Sequence, residues 1–126
     1  MKSDILTTDD VKLLVDSFYR KVTVNPVLGH IFTDVVKVDW NHHLPKMYAF
    51  WSTLLLGDMS YHGNPMQVHI DINKITPLGQ KEFDEWIRLF TLTVEELFEG
   101  QGAVEAKARA RSIAQVMMAK FGRPTI

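Results

Sequence analysis

The feature that most constrains the fold of this chain is an apolar spacing of three and four residues, which is typical of the buried face of an α-helix. The spacing recurs in four segments that are separated by glycine and proline,. These segments predict helices at residues 9–23, 40–57, 78–98 and 103–121. The sequence therefore predicts an all-α domain of four main helices joined by short turns.

Residue types at two of the predicted helix starts match the preferences of N-caps. The first helix begins at Thr7 or Thr8, each of which can accept a hydrogen bond from the first turn,. The third helix is expected to be capped by Thr76, because the following Pro77 suits the first helical position,. These signals support the helix starts independently of the apolar spacing.

The second helix is predicted to run roughly from Asp39 to Gly57, with Asp39 or Asn41 as its cap,. Pro45 fits this helix only near its first turn, where its missing N–H costs no helical hydrogen bond. Before it, Val35–Val38 is β-branched, but no other segment offers an obvious partner strand. We therefore interpret Val35–Val38 as a connector.

Length and charge set the broad class of the protein. A chain of 126 residues is expected to form one domain, spanning residues 1–126,. Its 14 basic and 15 acidic residues give a net charge of −1, so no long-range field attracts nucleic acid or an anionic membrane,. It has no cysteine, no apolar run of membrane-spanning length and no signal-peptide core,. These properties predict a small cytoplasmic protein.

Several kinds of catalytic and metal site lack their motifs in this sequence. There is no HExxH of a zinc protease, no Glu-x-x-His of a di-iron bundle, no P-loop and no GxGxxG after a strand,. Ser60 and His62 form only a weak pair, without an acidic partner or a nucleophile-elbow motif,. The remaining chemistry must come from side chains on the apolar faces.

Four such side chains are predicted to point inward: Tyr19, His43 and Trp86 on helices, and His69 in a short apolar turn after a proline,. His42 falls on the polar side of its helix. Taken alone, His43 would more often be a half-buried histidine bonded to the backbone, and His69 would more often be a surface or core-edge histidine. The Tyr19 hydroxyl needs a partner too, which is either a backbone carbonyl or a bound group.

A haem would use these side chains better than a bare metal ion would. A tetrahedral metal needs more ligands, and no carboxylate shares the faces of His43 and His69,. A haem needs one strong axial ligand, flat apolar walls, and polar groups only where its own ligand sits. The inward residues match that requirement.

The order and spacing of several short motifs are more specific than any one of them. They are Phe18-Tyr19, the apolar corner Leu28–Phe32, His43 seven residues before Phe50-Trp51, Tyr61-x-Gly-x-Pro followed after three residues by His69, and Trp86-Ile87-Arg88-Leu89-Phe90. In this arrangement the chain resembles the truncated, two-over-two haemoglobins, most closely their third group. The resemblance covers nearly the whole chain.

The resemblance implies a truncated-globin fold, in which a two-over-two helical sandwich surrounds haem b. It implies that His69 is the proximal iron ligand, and that Tyr19, His43 and Trp86 form the distal, ligand-binding pocket. Basic side chains near the pocket mouth, Lys46 among them, are expected to pair with the haem propionates. The full set of expected cofactor contacts is Phe32, His43, Lys46, Met47, Phe50, Trp51, His69 and Trp86.

Three functions remain open from the sequence. The resemblance favours a haem-binding globin, not an enzyme, that reversibly binds O2, NO or CO and serves in oxygen binding or transport. The alternative is a haem enzyme that detoxifies nitric oxide or peroxide, for which a separate reductase would be a partner. A helical scaffold without cofactor is disfavoured, because it gives no reason for Tyr19, Trp86 and two histidines to face inward.

Overall fold

Four helices form the regular structure of the residues that the structure describes. The structure, a computed structural model, describes residues 2–29, 31, 40–58, 61 and 79–121. Within these residues the helices are α1 (Thr8–Val24), α2 (Trp40–Leu56), α3 (Gln80–Leu97) and α4 (Gln101–Phe121). The described part contains no strand, so the all-α prediction is confirmed. The stretch Val35–Val38 lies outside the described residues.

Helix α1 begins with a reciprocal pair of cap hydrogen bonds. The backbone N–H of Asp10 donates to the Thr7 hydroxyl at 3.2 Å, and the Asp10 carboxylate accepts from the Thr7 N–H at 3.0 Å. This capping box satisfies two donors that the helix itself leaves unpaired. Of the two predicted candidates, Thr7 is therefore the cap.

Helix α3 begins later than predicted. Its cap is Gly79, whose N–H donates to the carboxylate of Glu82 at 2.8 Å. The prediction of Thr76 as the cap of this helix is wrong, and Thr76-Pro77 lies outside the described residues. Glycine has no side chain to accept a hydrogen bond, so its cap function is invisible to a search for Ser, Thr, Asp or Asn.

Helix α4 starts at Gln101, two residues before the predicted start at 103, because a distant residue caps it. The Asp4 carboxylate accepts from the N–H groups of Gly102 and Ala103, each at 2.9 Å. The hydrogen bond from Gly102 holds the pKa of Asp4 below its ordinary value. This contact ties the N-terminal segment to the start of α4.

The core lies between α1, α3 and α4. Helices α1 and α3 bury large side chains, whereas α4 buries mainly alanines, which let α3 approach closely,. The largest fully buried side chains are Phe18, Phe90, Leu14, Val11, Val15, Val22, Val94 and Thr93. Helix α2 differs, since only Trp51 and Ser52 are buried on it and its other apolar side chains are half-buried. That half-buried face of α2 borders the candidate site.

A tight corner follows α1. The Asn25 side-chain oxygen accepts from the N–H groups of Val27 at 2.8 Å and Leu28 at 3.0 Å. A Cβ on Gly29 would lie 2.7 Å from the Thr23 carbonyl oxygen, so the chain requires glycine there. None of the helices in the described part is long and apolar enough to cross a membrane.

Candidate functional site

Tyr19 and His43 meet where α1 packs on α2. The Tyr19 hydroxyl lies 3.3 Å from His43 Nε2, and the two rings are edge to face with centroids 5.3 Å apart. Surrounding protein removes the hydroxyl from water, which raises the pKa of Tyr19 well above its ordinary value,. From the sequence, the partner of the Tyr19 hydroxyl was expected to be a backbone carbonyl or a bound group. In the structure, the imidazole of His43 contacts this hydroxyl.

Trp40, the first residue of α2, packs against both members of this pair. Its ring centroid lies 5.3 Å from that of Tyr19 and 5.7 Å from that of His43. The neighbouring His42 is exposed, as its position on the polar side predicts. The start of α2 therefore turns His43, and not His42, toward α1.

Trp86 on α3 reaches Tyr19 through Phe18. The Phe18 ring centroid lies 5.1 Å from Tyr19 and 5.9 Å from Trp86, edge to face in both contacts. Phe90 stacks on Trp86 at 5.9 Å and on Trp51 of α2 at 4.6 Å. The packed rings define one aromatic cluster that spans three helices and consists of Phe18, Tyr19, Trp40, His43, Trp51, Trp86 and Phe90.

The remaining predicted contact residues divide into three groups. Phe50 extends the aromatic cluster, with ring centroids 5.4 Å from Trp51 and 5.2 Å from Tyr61. Met47 is half-buried on the same helix, and Lys46 is exposed. Phe32 and His69 lie outside the described residues, so their roles stay predictions. The structure thus describes one wall of the expected pocket.

Two contacts near the site were not predicted. The Tyr48 hydroxyl donates to the Asp16 carboxylate, which joins α2 to α1 beside the Tyr19–His43 pair. The Asn25 amide donates to Glu85 at 2.5 Å, next to Trp86 in the chain. Helical spacing shows which face a residue lies on, but it gives no signal for a partner on another helix.

The chemistry of this wall fits a haem and not a bare metal ion. Among the described residues no group of three His, Asp or Glu side chains could hold a metal. The wall instead offers flat aromatic rings, with the polar atoms of Tyr19, His43 and Trp86 among them. That is the combination which a haem pocket requires where the haem's own ligand sits.

Comparison with known proteins decides the family. The family model described as bacterial-like globin matches residues 4–121. The chain belongs to the bacterial-like globin family. This globin is 30% identical over 128 residues to a group 3 truncated hemoglobin of Campylobacter jejuni, and the alignment covers 97% of this chain and 98% of that protein.

The fold comparison agrees. The crystal structure of the group III truncated hemoglobin from Campylobacter jejuni matches this globin with a TM-score of 0.83 at 28% identity. The match covers 96% of this chain and 95% of that chain. The predicted resemblance to the truncated haemoglobins, most like group III, and the predicted truncated-globin fold are both confirmed. Family membership gives this globin a haem-dependent ligand-binding role.

Proposed function

We propose that this globin binds haem b through His69 as the only protein ligand on the proximal side, and reversibly binds O2, NO or CO on the other side. The observation that carries the proposal is the contact of the Tyr19 hydroxyl with His43 Nε2 inside the aromatic cluster. When bound, the haem supplies the iron to which a diatomic ligand attaches. The protein supplies the hydrogen-bond donors to that ligand and the route by which the ligand enters.

Tyr19 is the principal donor in this proposal. A hydroxyl can donate one hydrogen bond while it accepts another. If His43 Nε2 carries its proton, it donates to the Tyr19 oxygen, and the Tyr19 proton points to the pocket. A phenol is protonated and therefore a donor throughout the physiological pH range, and burial raises the pKa of Tyr19 further above its ordinary value,.

Trp86 is the second donor. Its indole N–H can only donate, so it favours a ligand with negative charge on its outer atom. Packing against Phe90 and Phe18 restrains its ring. Each donor is expected to contribute about 1–2 kcal/mol to ligand retention, equivalent to about a tenfold slower dissociation.

His43 controls access in this proposal. It is half-buried one turn from the start of α2. A rotation of its ring away from Tyr19 opens the pocket to solvent without unfolding the helix. Lys46 is exposed nearby and is the proposed partner of a propionate, while Phe32, Met47, Phe50 and Trp51 are proposed to contact the macrocycle.

The proposal also covers the domain organisation and the cellular location of this globin. The match over residues 4–121 supports a single truncated-globin domain spanning residues 1–126. The absence of cysteine from the sequence is compatible with a cytoplasmic location, which we propose for this globin,.

Absorption spectra of the purified protein test this function. We expect a Soret band as isolated, which shifts on reduction and again on addition of O2, CO or NO. His69→Gly should lose haem unless imidazole is supplied, whereas His62→Gly, in the same stretch of sequence, should keep it. A wild-type protein that takes up no haem would overturn the function, and an unchanged His69→Gly spectrum would overturn the ligand assignment.

A further inference from the structure

An open groove runs between α1 and α2 beside the Tyr19–His43 pair, with a cavity volume of about 350 Å³. This volume lies at the lower end of the range of about 300–1,000 Å³ that is typical of small-molecule pockets. Besides Tyr19, two stripes at helical spacing line the groove, which are Asp16, Arg20 and Thr23 on α1, and Trp40, Leu44 and Tyr48 on α2. The groove is therefore large enough for a small molecule.

The α2 side of the groove offers an apolar and mostly aromatic surface. Trp40, Leu44 and Tyr48 line it and are each half-buried, so part of each side chain is open to a bound molecule. An aromatic ring packs well on such side chains, either offset-stacked or edge to face. This side of the groove therefore suits the ring of an aromatic ligand.

The α1 side carries a guanidinium with unused hydrogen-bonding capacity. Arg20 is exposed, and its Nη2 donates to the Ser17 hydroxyl at 3.0 Å. Within the described part of the chain, Arg20 makes no ion pair with a carboxylate. A guanidinium has five N–H donors in a planar fork that matches the two oxygens of a carboxylate. Arg20 can therefore bind the carboxylate of a ligand.

The other charges beside the groove leave an attraction for a monoanion. The Asp16 carboxylate, one turn before Arg20, accepts a hydrogen bond from the Tyr48 hydroxyl. Lys12 lies one turn before Asp16, with its Nζ 5.9 Å from the centroid of the Tyr48 ring. Together Lys12, Asp16 and Arg20 carry one net positive charge, which favours an anion over a cation.

We propose that this groove is an effector site for a small aromatic carboxylate, whose carboxylate binds Arg20 and whose ring packs on Trp40 and Leu44, and that the bound molecule slows the entry of the haem ligand past His43. The effect on entry rests on the proposed function, because it concerns access to the haem.

Three rings in mutual contact link the groove to His43. The ring centroids of Tyr19 and His43 lie 5.3 Å apart, those of Tyr19 and Trp40 5.3 Å, and those of Trp40 and His43 5.7 Å. Because packed side chains leave little free space, the His43 ring can rotate away from Tyr19 only if its neighbours yield. A molecule in the groove fills space into which Trp40 and Tyr19 would move. Occupation of the groove should therefore keep His43 against Tyr19.

Calorimetric titration of the purified protein with benzoate tests the site. We expect wild type to bind benzoate at a single site with a Kd of about 1 mM or tighter. Arg20→Gln should raise this Kd about tenfold or more, because it removes a charge-assisted hydrogen-bonded pair. Arg109→Gln is the matched control, since Arg109 is an exposed arginine on α4 outside the groove, and it should leave the Kd unchanged. Equal Kd values for Arg20→Gln and wild type would overturn the inference.

Two comparison molecules separate the ring from the charge. Benzyl alcohol keeps the aromatic ring without a charge, and acetate keeps the carboxylate without a ring. Each should bind wild type about tenfold more weakly than benzoate, because each loses one of the two interactions. If either bound as tightly as benzoate, the groove would not select an aromatic carboxylate.

Flash photolysis of the ferrous CO complex tests the effect on entry. Saturating benzoate should lower the CO association rate of wild type and of Arg109→Gln several-fold, and at the same concentration it should lower that of Arg20→Gln less. An association rate that benzoate leaves unchanged would overturn the effector role. A wild-type protein that takes up no haem would overturn the proposed function, whereas benzoate binding that depends on Arg20 would still uphold the carboxylate site.

Discussion

The Tyr19 hydroxyl and His43 Nε2 lie 3.3 Å apart and join α1 to α2 within the aromatic cluster. A hydroxyl accepts from one neighbour while it donates to another, so the imidazole can orient the Tyr19 proton without consuming it. In the proposed function, Tyr19 holds the ligand, whereas His43 orients the Tyr19 hydroxyl and controls access to the pocket.

We predict that replacement of His43 changes ligand association more than ligand dissociation. His43→Leu removes the imidazole contact to Tyr19 and leaves a side chain that cannot hydrogen-bond. We expect association rates for O2 and CO to change several-fold, with a smaller change in dissociation. Flash photolysis of the CO complex measures association, and stopped-flow mixing measures dissociation.

His42→Leu is the matched control, because His42 is the exposed neighbour of His43. It should leave both rates unchanged. Equal association rates for His43→Leu and wild type would show that His43 does not control ligand access.

We predict that Tyr48 stabilises the packing of α1 on α2 through its hydrogen bond to Asp16. Tyr48→Phe should lower the free energy of unfolding by about 1–2 kcal/mol, since the bond is to a charged group. Burial and Asp16 raise the pKa of Tyr48 from its ordinary 10 to about 12. The folded state thus favours the protonated phenol, and this stability is present below pH 10 and lost as the pH rises toward 12,.

Urea unfolding of wild type and Tyr48→Phe at pH 7 and at pH 11 measures this difference. The two proteins should differ more at pH 7 than at pH 11. A difference that stays constant across this range would show that the Tyr48 hydroxyl makes no stabilising bond.

We predict that Glu85 makes the protein sensitive to acid. Hydrogen bonds from Arg88 and from Asn25 lower the pKa of Glu85 from its ordinary 4.5 to about 2. The folded state therefore favours the carboxylate, so its contribution is complete above pH 4.5 and is lost as the pH falls toward 2,. Glu85→Gln should destabilise the protein near neutral pH and flatten its acid unfolding curve.

Glu105→Gln is a control on a more exposed pair. Glu105 contacts Arg109 at 3.0 Å with both side chains about half exposed, whereas the Glu85 side chain is 18% exposed. The exposed pair should contribute less than about 0.5 kcal/mol. If the two variants show the same acid unfolding curve, the Asn25–Glu85 contact does not anchor α3 to the end of α1.

Local patterns predicted the helices well, because burial of one face imposes a spacing that the sequence shows directly. Thr7 was one of two candidate caps for α1, and the structure selects it. The start of α4 was missed because Asp4, about 100 residues earlier in the chain, provides the cap,. Thr76 failed as a cap for α3 because glycine carries no side-chain signal.

The candidate site was likewise predicted only in part, because local patterns do not show contacts between helices. Spacing alone indicated that Tyr19 and His43 face inward, but it could not show that they contact each other. Trp40 contacts Tyr19, and Tyr48 contacts Asp16; both of these partners lie on α1, so no pattern within α2 revealed them. The assignments of Phe32 and His69 depend on the resemblance to the truncated haemoglobins, and they remain predictions.

The central claim is that Tyr19 and Trp86 jointly retain O2 in the pocket. Stopped-flow dissociation of O2 from wild type, Tyr19→Phe, Trp86→Phe and the double variant tests it most directly. Tyr19→Phe deletes one hydrogen-bond donor and preserves the ring. Trp86→Phe deletes the indole N–H and also leaves a void, so its effect combines the lost donor with the cost of a cavity. Tyr48→Phe is the matched control, because it removes a hydroxyl from the same helix pair that is bonded to Asp16 and not to His43.

We expect each donor variant to release O2 several-fold to about tenfold faster than wild type. The double variant should depart from the product of the two effects, because both donors share one acceptor. Tyr48→Phe should release O2 at the wild-type rate. Wild-type dissociation rates in both Tyr19→Phe and Trp86→Phe would contradict the account.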